Sequence, residues 1–189
     1  EINRMLSVGM LIKKAMKGHV DLLGPAMKVQ EELMGIPSFE TPDYSELLSE
    51  EKEMIAKLKK AFLMVAGAAV QKYGMDLDAH QQLLTAAADM LIEIYIAEST
   101  ILRTEKLAKK QGEDKSKEQI AMAKLYLYKA VDIVTQKGKE SIISFAEGDE
   151  QRMMLMGLRR FTKYTNMPNI VGLRETITSK LVAENSYCF

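Results

Sequence analysis

The chain has 189 residues, and its 26 basic and 26 acidic side chains cancel to a formal net charge of zero. A dedicated nucleic-acid binder usually carries a basic excess, so zero net charge argues against that class. The 47% hydrophobic content excludes a disordered chain. Abundant Ala, Leu, Met, Glu and Lys with few Gly and Pro favours helix over sheet, so the composition predicts an all-α fold.

Seven segments carry apolar residues at spacings of three and four, the pattern of amphipathic helices. We predict helices at residues 2–17, 24–35, 49–73, 78–111, 116–138 or 116–145, 148–164 and 171–184. Residues 36–44 contain two prolines and are predicted to form a loop that could serve as a hinge. The whole predicts an antiparallel bundle of about six to seven helices.

Local signals indicate how some of these helices begin and meet. Asp78 with Gln81, and Ser116 with Gln119, have the spacing of capping boxes. Gly67 lies in a run of small residues, which form a notch in the helix surface. This notch is predicted to let another helix approach closely. The small residues at 86–88 are the expected partner of that notch.

The cysteine content and the hydropathy of the chain limit the cellular compartments in which we expect the protein. Cys188 is the single cysteine, which excludes an intramolecular disulfide framework and a cysteine zinc site. The longest apolar stretch, residues 61–70, falls well short of the roughly 20 residues of a membrane span. We expect a cytoplasmic protein without a signal peptide, and no binding to membranes or nucleic acid. The chain begins with Glu1 inside a helical pattern, so we expect it to be a piece of a longer protein.

A search for catalytic and metal-binding patterns finds little. His19 and His80 are the two histidines, and neither has the Glu-x-x-His spacing of a helical di-iron site. Cys188 is the penultimate residue, a poor position for a nucleophile. No phosphate-binding glycine loop is present. The sequence therefore predicts no metal site and no catalytic residue within this chain.

Two features allow both a functional and a structural interpretation. Glu98 lies beside apolar positions and could be a buried acid or base, but a flank carboxylate paired with a neighbouring helix is the favoured interpretation. The methionine cluster at residues 153–156 could belong to a membrane-surface helix. A core-facing stripe with solvated arginines is favoured there, and a subunit interface is also compatible with methionine.

Residues 1–6, EINRML, resemble the end of the Glu-Gly-Thr-Asn-Glu-Ile motif of acyl-CoA dehydrogenases. In that family the glutamate that starts the motif is the catalytic base, which removes an α-proton from the acyl thioester while flavin accepts a hydride. The alignment places that glutamate four residues before Glu1. The resemblance implies that Glu1 occupies a position that contacts the adenine half of the flavin of a neighbouring subunit.

Residues 88–93, ADMLIE, with residues 97–103, and MAKL at residues 122–125, resemble the family's C-terminal helical bundle. Residues 1–18 would then be the last helix of the parent's catalytic helical domain. Residues 19–189 would be an appended domain, a degenerate second copy of that bundle. The copy lacks the glutamate motif, in whose place SFAEG stands at residues 144–148, and Glu98 replaces a common family arginine.

This layout is similar to the very-long-chain type of acyl-CoA dehydrogenase. It implies a parent enzyme of fatty-acid β-oxidation that uses FAD and acyl-CoA, passes electrons to electron-transfer flavoprotein and forms a homodimer. This piece would be non-catalytic, would hold no cofactor by itself, and would support the dimer and brace the catalytic core. The segment 35–53, which is basic and near the membrane in mitochondrial relatives, is short and acidic here, so anionic lipid would repel it.

A second hypothesis is a free-standing all-α ligand-binding or dimerisation module, such as the effector domain of a regulator. The first hypothesis makes one structural prediction of its own. If residues 2–16 belong to a catalytic bundle, their apolar face is exposed in the isolated piece and is covered by association.

Overall fold

The structure is a computed structural model that describes residues 1–35 and 43–189. Every regular element within these residues is helical, as predicted. The helices are α1 (Ile2–Met16), α2 (Leu23–Met34), α3 (Ser49–Tyr73), α4 (Gln81–Gln111), α5 (Lys117–Phe145), α6 (Gly148–Phe161) and α7 (Ile170–Glu184). Short 3₁₀ turns at Gly74–Ala79 and Asp114–Ser116 join the three longest helices. Most of the predicted loop at 36–44 lies outside the described residues.

The centre of the bundle is formed by α3, α4 and α5, which pack against one another. α6 lies on α3 and α5, α2 lies on α3, α1 lies on α4 and α7 lies on α5. Met54, Leu58, Ala61 and Val65, spaced by four and three residues along α3, are buried. Burial of apolar side chains from all three long helices in one cluster is what drives the fold.

The start of α4 corrects the first predicted capping box. Asp78 lies in the 3₁₀ turn, and the helix begins at Gln81 with His80 at the N-cap position. The turn closes when the His80 backbone N–H donates to the Leu77 carbonyl, 2.9 Å away. The His80 ring also stacks on Tyr73, with 3.7 Å between ring centroids. Because the 3₁₀ turn places His80 at the N-cap position, Asp78 lies too far before the first turn of α4 to cap it.

The second predicted capping box is correct for the position of Ser116 but not for its hydrogen bond. Ser116 occupies the N-cap position of α5, but its Oγ donates to the Gly112 carbonyl at 2.9 Å and accepts from Gln111 Nε2 at 3.0 Å. Its hydroxyl therefore ties the end of α4 to the turn and does not cap α5. α5 continues to Phe145, which settles the alternative left open by Gly138.

Glycines in the helices mark close approaches between them. A Cβ on Gly67 would lie 3.4 Å from Ala26 Cβ of α2, so the predicted notch exists but its partner is α2, and the expected partner at 86–88 is wrong. A Cβ on Gly138 would lie 2.9 Å from Leu158 Cδ1 of α6. At Gly138 a Cβ would displace the Leu158 side chain, whereas at Gly67 it would meet Ala26 at an ordinary van der Waals distance.

The last helix is attached along one side. α7, all of whose residues are described, has no buried residue, and its main neighbour is α5. Asn169 caps it by accepting from the Gly172 backbone N–H at 3.1 Å, which fits the predicted turn before it. Lys180 lies 3.5 Å from the buried carboxylate of Glu118 on α5 and 5.9 Å from the Phe189 ring centroid. The ion pair between Lys180 and Glu118 adds to the packing of α7 along α5.

Candidate functional site

The outer face of α1, which begins beside Glu1, is apolar and exposed. Val8 is buried against α4, whereas Ile2, Leu6 and Met10 are 78%, 55% and 47% exposed. The prediction of an exposed apolar face on this helix is thus confirmed. A groove of about 280 Å³ lies between this helix and the start of α4. A water-exposed face of this kind on a helix otherwise packed on a bundle is typical of a contact surface.

Glu1, which the family resemblance places at a flavin contact, lies at the end of this face. It is exposed, and Arg4 Nη1 approaches its carboxylate at 3.3 Å. The same guanidinium pairs through Nη2 with Asp89 of α4, whose side chain is 15% exposed. Arg4 therefore fixes the first turn of α1 to α4 and holds Glu1 at the surface. The Arg4–Asp89 pair joins residues 85 positions apart and has no local sequence signal.

The chemistry of Glu1 and Arg4 bears on whether this surface fits a flavin. Glu1 offers one exposed carboxylate that can accept hydrogen bonds, and Arg4 beside it can donate them. Such a pair fits one polar contact at the edge of a cofactor. Two side chains of this kind do not by themselves enclose an isoalloxazine ring.

The corner between α5 and α6 holds the SFAEG segment, residues 144–148. Phe145 and Ala146 are 3% and 1% exposed, and Lys72 of α3 donates to the Phe145 carbonyl. Gln151 Nε2 donates to the Ala146 carbonyl at 2.7 Å. Glu147 is exposed at the N-cap position of α6. The corner is a packed joint whose carboxylate faces water.

A groove that the sequence did not reveal lies where the start of α4 meets the end of α5. Its volume is about 450 Å³, and Tyr73, His80, Ser141 and Ser144 are among its lining residues. Ser141 Oγ donates to the Lys137 carbonyl at 2.8 Å, and Ser144 Oγ donates to the Ser141 carbonyl at 2.6 Å. Both hydroxyls are therefore engaged by the backbone of α5 and are not held as activated nucleophiles.

Glu98 has the structural role that was favoured. Lys59 Nζ of α3 lies 2.6 Å from Glu98 Oε1, and the two side chains are 48% and 35% exposed. The pair bridges α3 and α4 at the surface. Of the methionine cluster, Met154 is buried at 7% exposure, whereas Met153 and Met156 are 44% and 72% exposed. The core-facing interpretation is thus correct for Met154 alone.

We expect Glu98→Gln to change the free energy of unfolding by less than about 1 kcal/mol, because exposed ion pairs contribute little. Urea denaturation of the two proteins in the same buffer measures the difference. A loss of about 3 kcal/mol would instead indicate a desolvated, functional carboxylate, contrary to this assignment.

The hydrogen bond between α4 and α5 at Tyr126 is a more buried polar contact. Tyr126 Oη donates to Glu93 Oε2 at 2.8 Å. Burial, together with the hydrogen bond to Glu93 and the negative charge of that carboxylate, raises the pKa of Tyr126 to about 12. The pKa of Tyr126 in the folded protein lies above its ordinary value of 10.0. The stability that this shift contributes is therefore fully present below pH 10.0.

We expect the stabilisation by Tyr126 to be lost as pH rises from the ordinary value of 10.0 through about 12. Tyr126→Phe should therefore show a shallower alkaline loss of stability than the unchanged protein. Urea midpoints at about pH 9 and about pH 11.5 measure this difference. Tyr95→Phe, at a tyrosine that is 70% exposed, is the control. Equal alkaline losses in both variants would contradict the assignment.

Residues 1–35 and 43–189 contain no group of three or more His, Cys, Asp or Glu side chains arranged to hold a metal ion. Among the helices they form, none combines the length and apolarity needed to span a bilayer.

Comparison with known proteins gives concordant matches. The family model described as acyl-CoA dehydrogenase, C-terminal domain, matches residues 57–160. A probable acyl-CoA dehydrogenase of Bacillus subtilis (strain 168) is 38% identical over 184 residues, which are 97% of this chain and 31% of that protein. The crystal structure of an acyl-CoA dehydrogenase complexed with FAD from Bacillus anthracis matches with a TM-score of 0.91 and 38% identity, over 100% of this chain and 32% of that one.

The chain thus spans about a third of the length of these relatives, at 31% and 32%. It matches their C-terminal part. The family model covers more than half of the 189 residues, and the all-α architecture agrees with it. The chain therefore belongs to the acyl-CoA dehydrogenase family, as a representative of its C-terminal helical domain.

Proposed function

We propose that this chain is the non-catalytic C-terminal part of a FAD-dependent acyl-CoA dehydrogenase that introduces an α,β double bond into fatty acyl-CoA thioesters. In this proposal the chain braces the catalytic core and supports a homodimer. Membership of the family and the name of the FAD complex from Bacillus anthracis support it. The parent would serve fatty-acid β-oxidation in the cytoplasm and pass electrons to electron-transfer flavoprotein.

The observation that carries the proposal is the geometry of α1. This helix is fixed to α4 through Arg4 and Asp89, yet it leaves Ile2, Leu6 and Met10 in water. Burying such side chains against another element stabilises by about 1.5–3 kcal/mol each when burial is complete. In the proposal, residues 1–18 complete the helical part of the catalytic domain, and residues 19–189 form the appended domain behind them.

The chemistry of the parent is assigned to residues outside this chain. The catalytic base would precede Glu1 by four residues, and bound FAD would supply the hydride acceptor. Within this chain, Arg4 holds Glu1 at the surface, where its carboxylate would accept a hydrogen bond from the adenine half of the flavin of a neighbouring subunit. The appended domain would hold no cofactor of its own.

The test is production of the protein from its complete gene. We expect the purified protein to contain flavin and to oxidise acyl-CoA with an artificial electron acceptor. Absence of both flavin and acyl-CoA oxidation would reject the proposal. A DNA-binding helix-turn-helix encoded before Glu1 would favour the alternative, the effector domain of a regulator.

The role of α1 in bracing is tested in the same full-length protein. Leu6→Asp places a carboxylate in the proposed contact with the catalytic domain, and we expect loss of flavin retention and a lower unfolding temperature. Val182→Asp, at a position that is 73% exposed on α7, is the control and should retain flavin. Equal flavin content in both variants would show that this face does not contact the catalytic core.

A further inference from the structure

The ion pair between Arg4 and Asp89 joins the first turn of α1 to α4. Between the residues that the structure describes, 1–35 and 43–189, no other ion pair or side-chain hydrogen bond joins α1 to a different element. The Asp89 side chain is only 15% exposed, so the surface of α4 holds the carboxylate in place. This pair is therefore a fixed polar anchor for the start of α1.

Apolar packing fixes the middle of α1 more firmly than its start. Val8 is 2% exposed and belongs to the core shared with α4, whereas Ile2 in the first turn is 78% exposed. The six residues between them correspond to about 9 Å along the helix axis. A helix held mainly near its middle moves most at its ends, so the Arg4–Asp89 pair limits a movement that the core leaves possible.

The Arg4 guanidinium connects this anchor to the residue that precedes the helix. Its Nη2 pairs with Asp89, and its Nη1 lies 3.3 Å from Glu1 Oε1. One planar group thus contacts both carboxylates and restricts the orientation of each relative to the other. Through Arg4, Asp89 therefore influences where the chain enters α1 and the direction from which it comes.

The segment that enters α1 is the one to which the proposed function assigns the catalytic base, four residues before Glu1. Four residues span at most about 14 Å, so a short connection joins the base to the anchored turn. A misplacement of about 1 Å in a reacting group can lower a rate about 100-fold. A small movement of the first turn of α1 is therefore enough to change the rate of proton removal.

We propose that Asp89 is a positioning residue for the catalytic base of the parent dehydrogenase, acting through Arg4 and the first turn of α1. The inference rests on the proposed function and deepens it, because it assigns the appended domain, to which α4 belongs, a part in the chemical step. The base removes the α-proton of the acyl thioester, and Asp89 itself takes up no proton.

The experiment compares Asp89→Ala with the unchanged full-length protein. We expect kcat per bound flavin to fall at least about tenfold. KM should stay unchanged, because the pair affects the reacting geometry and not substrate binding. Flavin content should also stay unchanged.

Glu51→Ala is the matched control. The Glu51 side chain is 13% exposed and lies 3.0 Å from Lys124 Nζ, so it also forms a largely buried pair between two helices. Lys52, beside Glu51, pairs with Glu105 in the last third of α4, whereas Asp89 lies in its first third. The control therefore removes a similar pair at a distance from α1, and it should keep the kcat of the unchanged protein.

Hydrogen exchange gives a second result that does not depend on turnover. Asp89→Ala should speed deuterium uptake by the backbone amides of residues 5–8, whose hydrogen bonds close the first turns of α1. Asp89→Glu keeps a carboxylate on α4, so it should restore most of both kcat and this protection. Unchanged exchange in Asp89→Ala would show that the pair does not anchor the turn and would overturn the proposal.

The kinetic outcomes separate this inference from the proposed function. A normal kcat per flavin in Asp89→Ala, a loss equal to that of Glu51→Ala, or a change in KM alone overturns the positioning role. A turnover loss that only follows loss of flavin also overturns it, as does an Asp89→Glu protein no more active than Asp89→Ala. In these cases the unchanged protein still oxidises acyl-CoA and the proposed function stands. An unchanged protein without flavin and turnover overturns both.

Discussion

Ile142→Ala is expected to lower the free energy of unfolding by about 2–5 kcal/mol. Ile142 of α5 is fully buried, at 0% exposure, in the core shared with α3 and α4. Truncation removes three carbons' worth of buried surface and leaves a cavity that close-packed neighbours fill only in part. Because the total stability of a domain is about 5–15 kcal/mol, this is a large fraction of it.

The adjacent residue provides a matched control for this substitution. Ile143 has the same side chain on the same helix but is 53% exposed. Ile143→Ala has the same effect on helix propensity and should change stability by no more than about 0.5 kcal/mol. Urea denaturation monitored by circular dichroism measures both. Equal losses of stability in Ile142→Ala and Ile143→Ala would mean that a different side of α5 packs on the core.

Gly157→Val is expected to lower the free energy of unfolding by about 1–3 kcal/mol, because the added side chain overpacks the core. Gly157 is buried in α6 where α2 and α3 converge. A Cβ there would lie 2.7 Å from Leu33 Cδ2 of α2 and 2.9 Å from Met64 Sδ of α3. Two branches beyond that Cβ require both side chains to move, which separates α6 from its neighbours.

Gly9→Val tests whether the loss at Gly157 reflects packing. Gly9 is also inside a helix, but a Cβ there has no heavy atom within 4 Å apart from its own helix. Replacing a helical glycine relieves its entropic cost, so this variant should be neutral or slightly stabilising. Thermal unfolding of both variants gives the comparison. A Gly157→Val protein as stable as Gly9→Val would contradict the close approach.

The sequence alone predicted where the helices lie because apolar spacing is a local property. α3 was predicted with its correct bounds, and the choice for α5 included its observed end at Phe145. Gly138 left that choice open because the reason for the glycine is Leu158 on another helix. The capping box at Asp78 was wrong because a 3₁₀ turn precedes α4 and places His80 at its N-cap position.

The candidate site was predictable only in part. The exposed face of α1 followed from family resemblance together with the apolar pattern of that helix. The Arg4–Asp89 pair could not be predicted, since it joins distant segments and both residue types are common on helix surfaces. The sequence left Glu98 with two interpretations, and the position of Lys59 on a neighbouring helix decided between them.

The attachment of α7 along one side has a consequence for how the molecule opens. An element with no buried residue, joined chiefly to α5, can separate while the central helices remain intact. Its backbone amides should therefore exchange with solvent deuterium through subglobal opening, at a lower free energy than the amides of α5. Proteolytic cleavage near residues 165–168 should likewise precede any cut in the central helices, releasing the C-terminus as the first fragment.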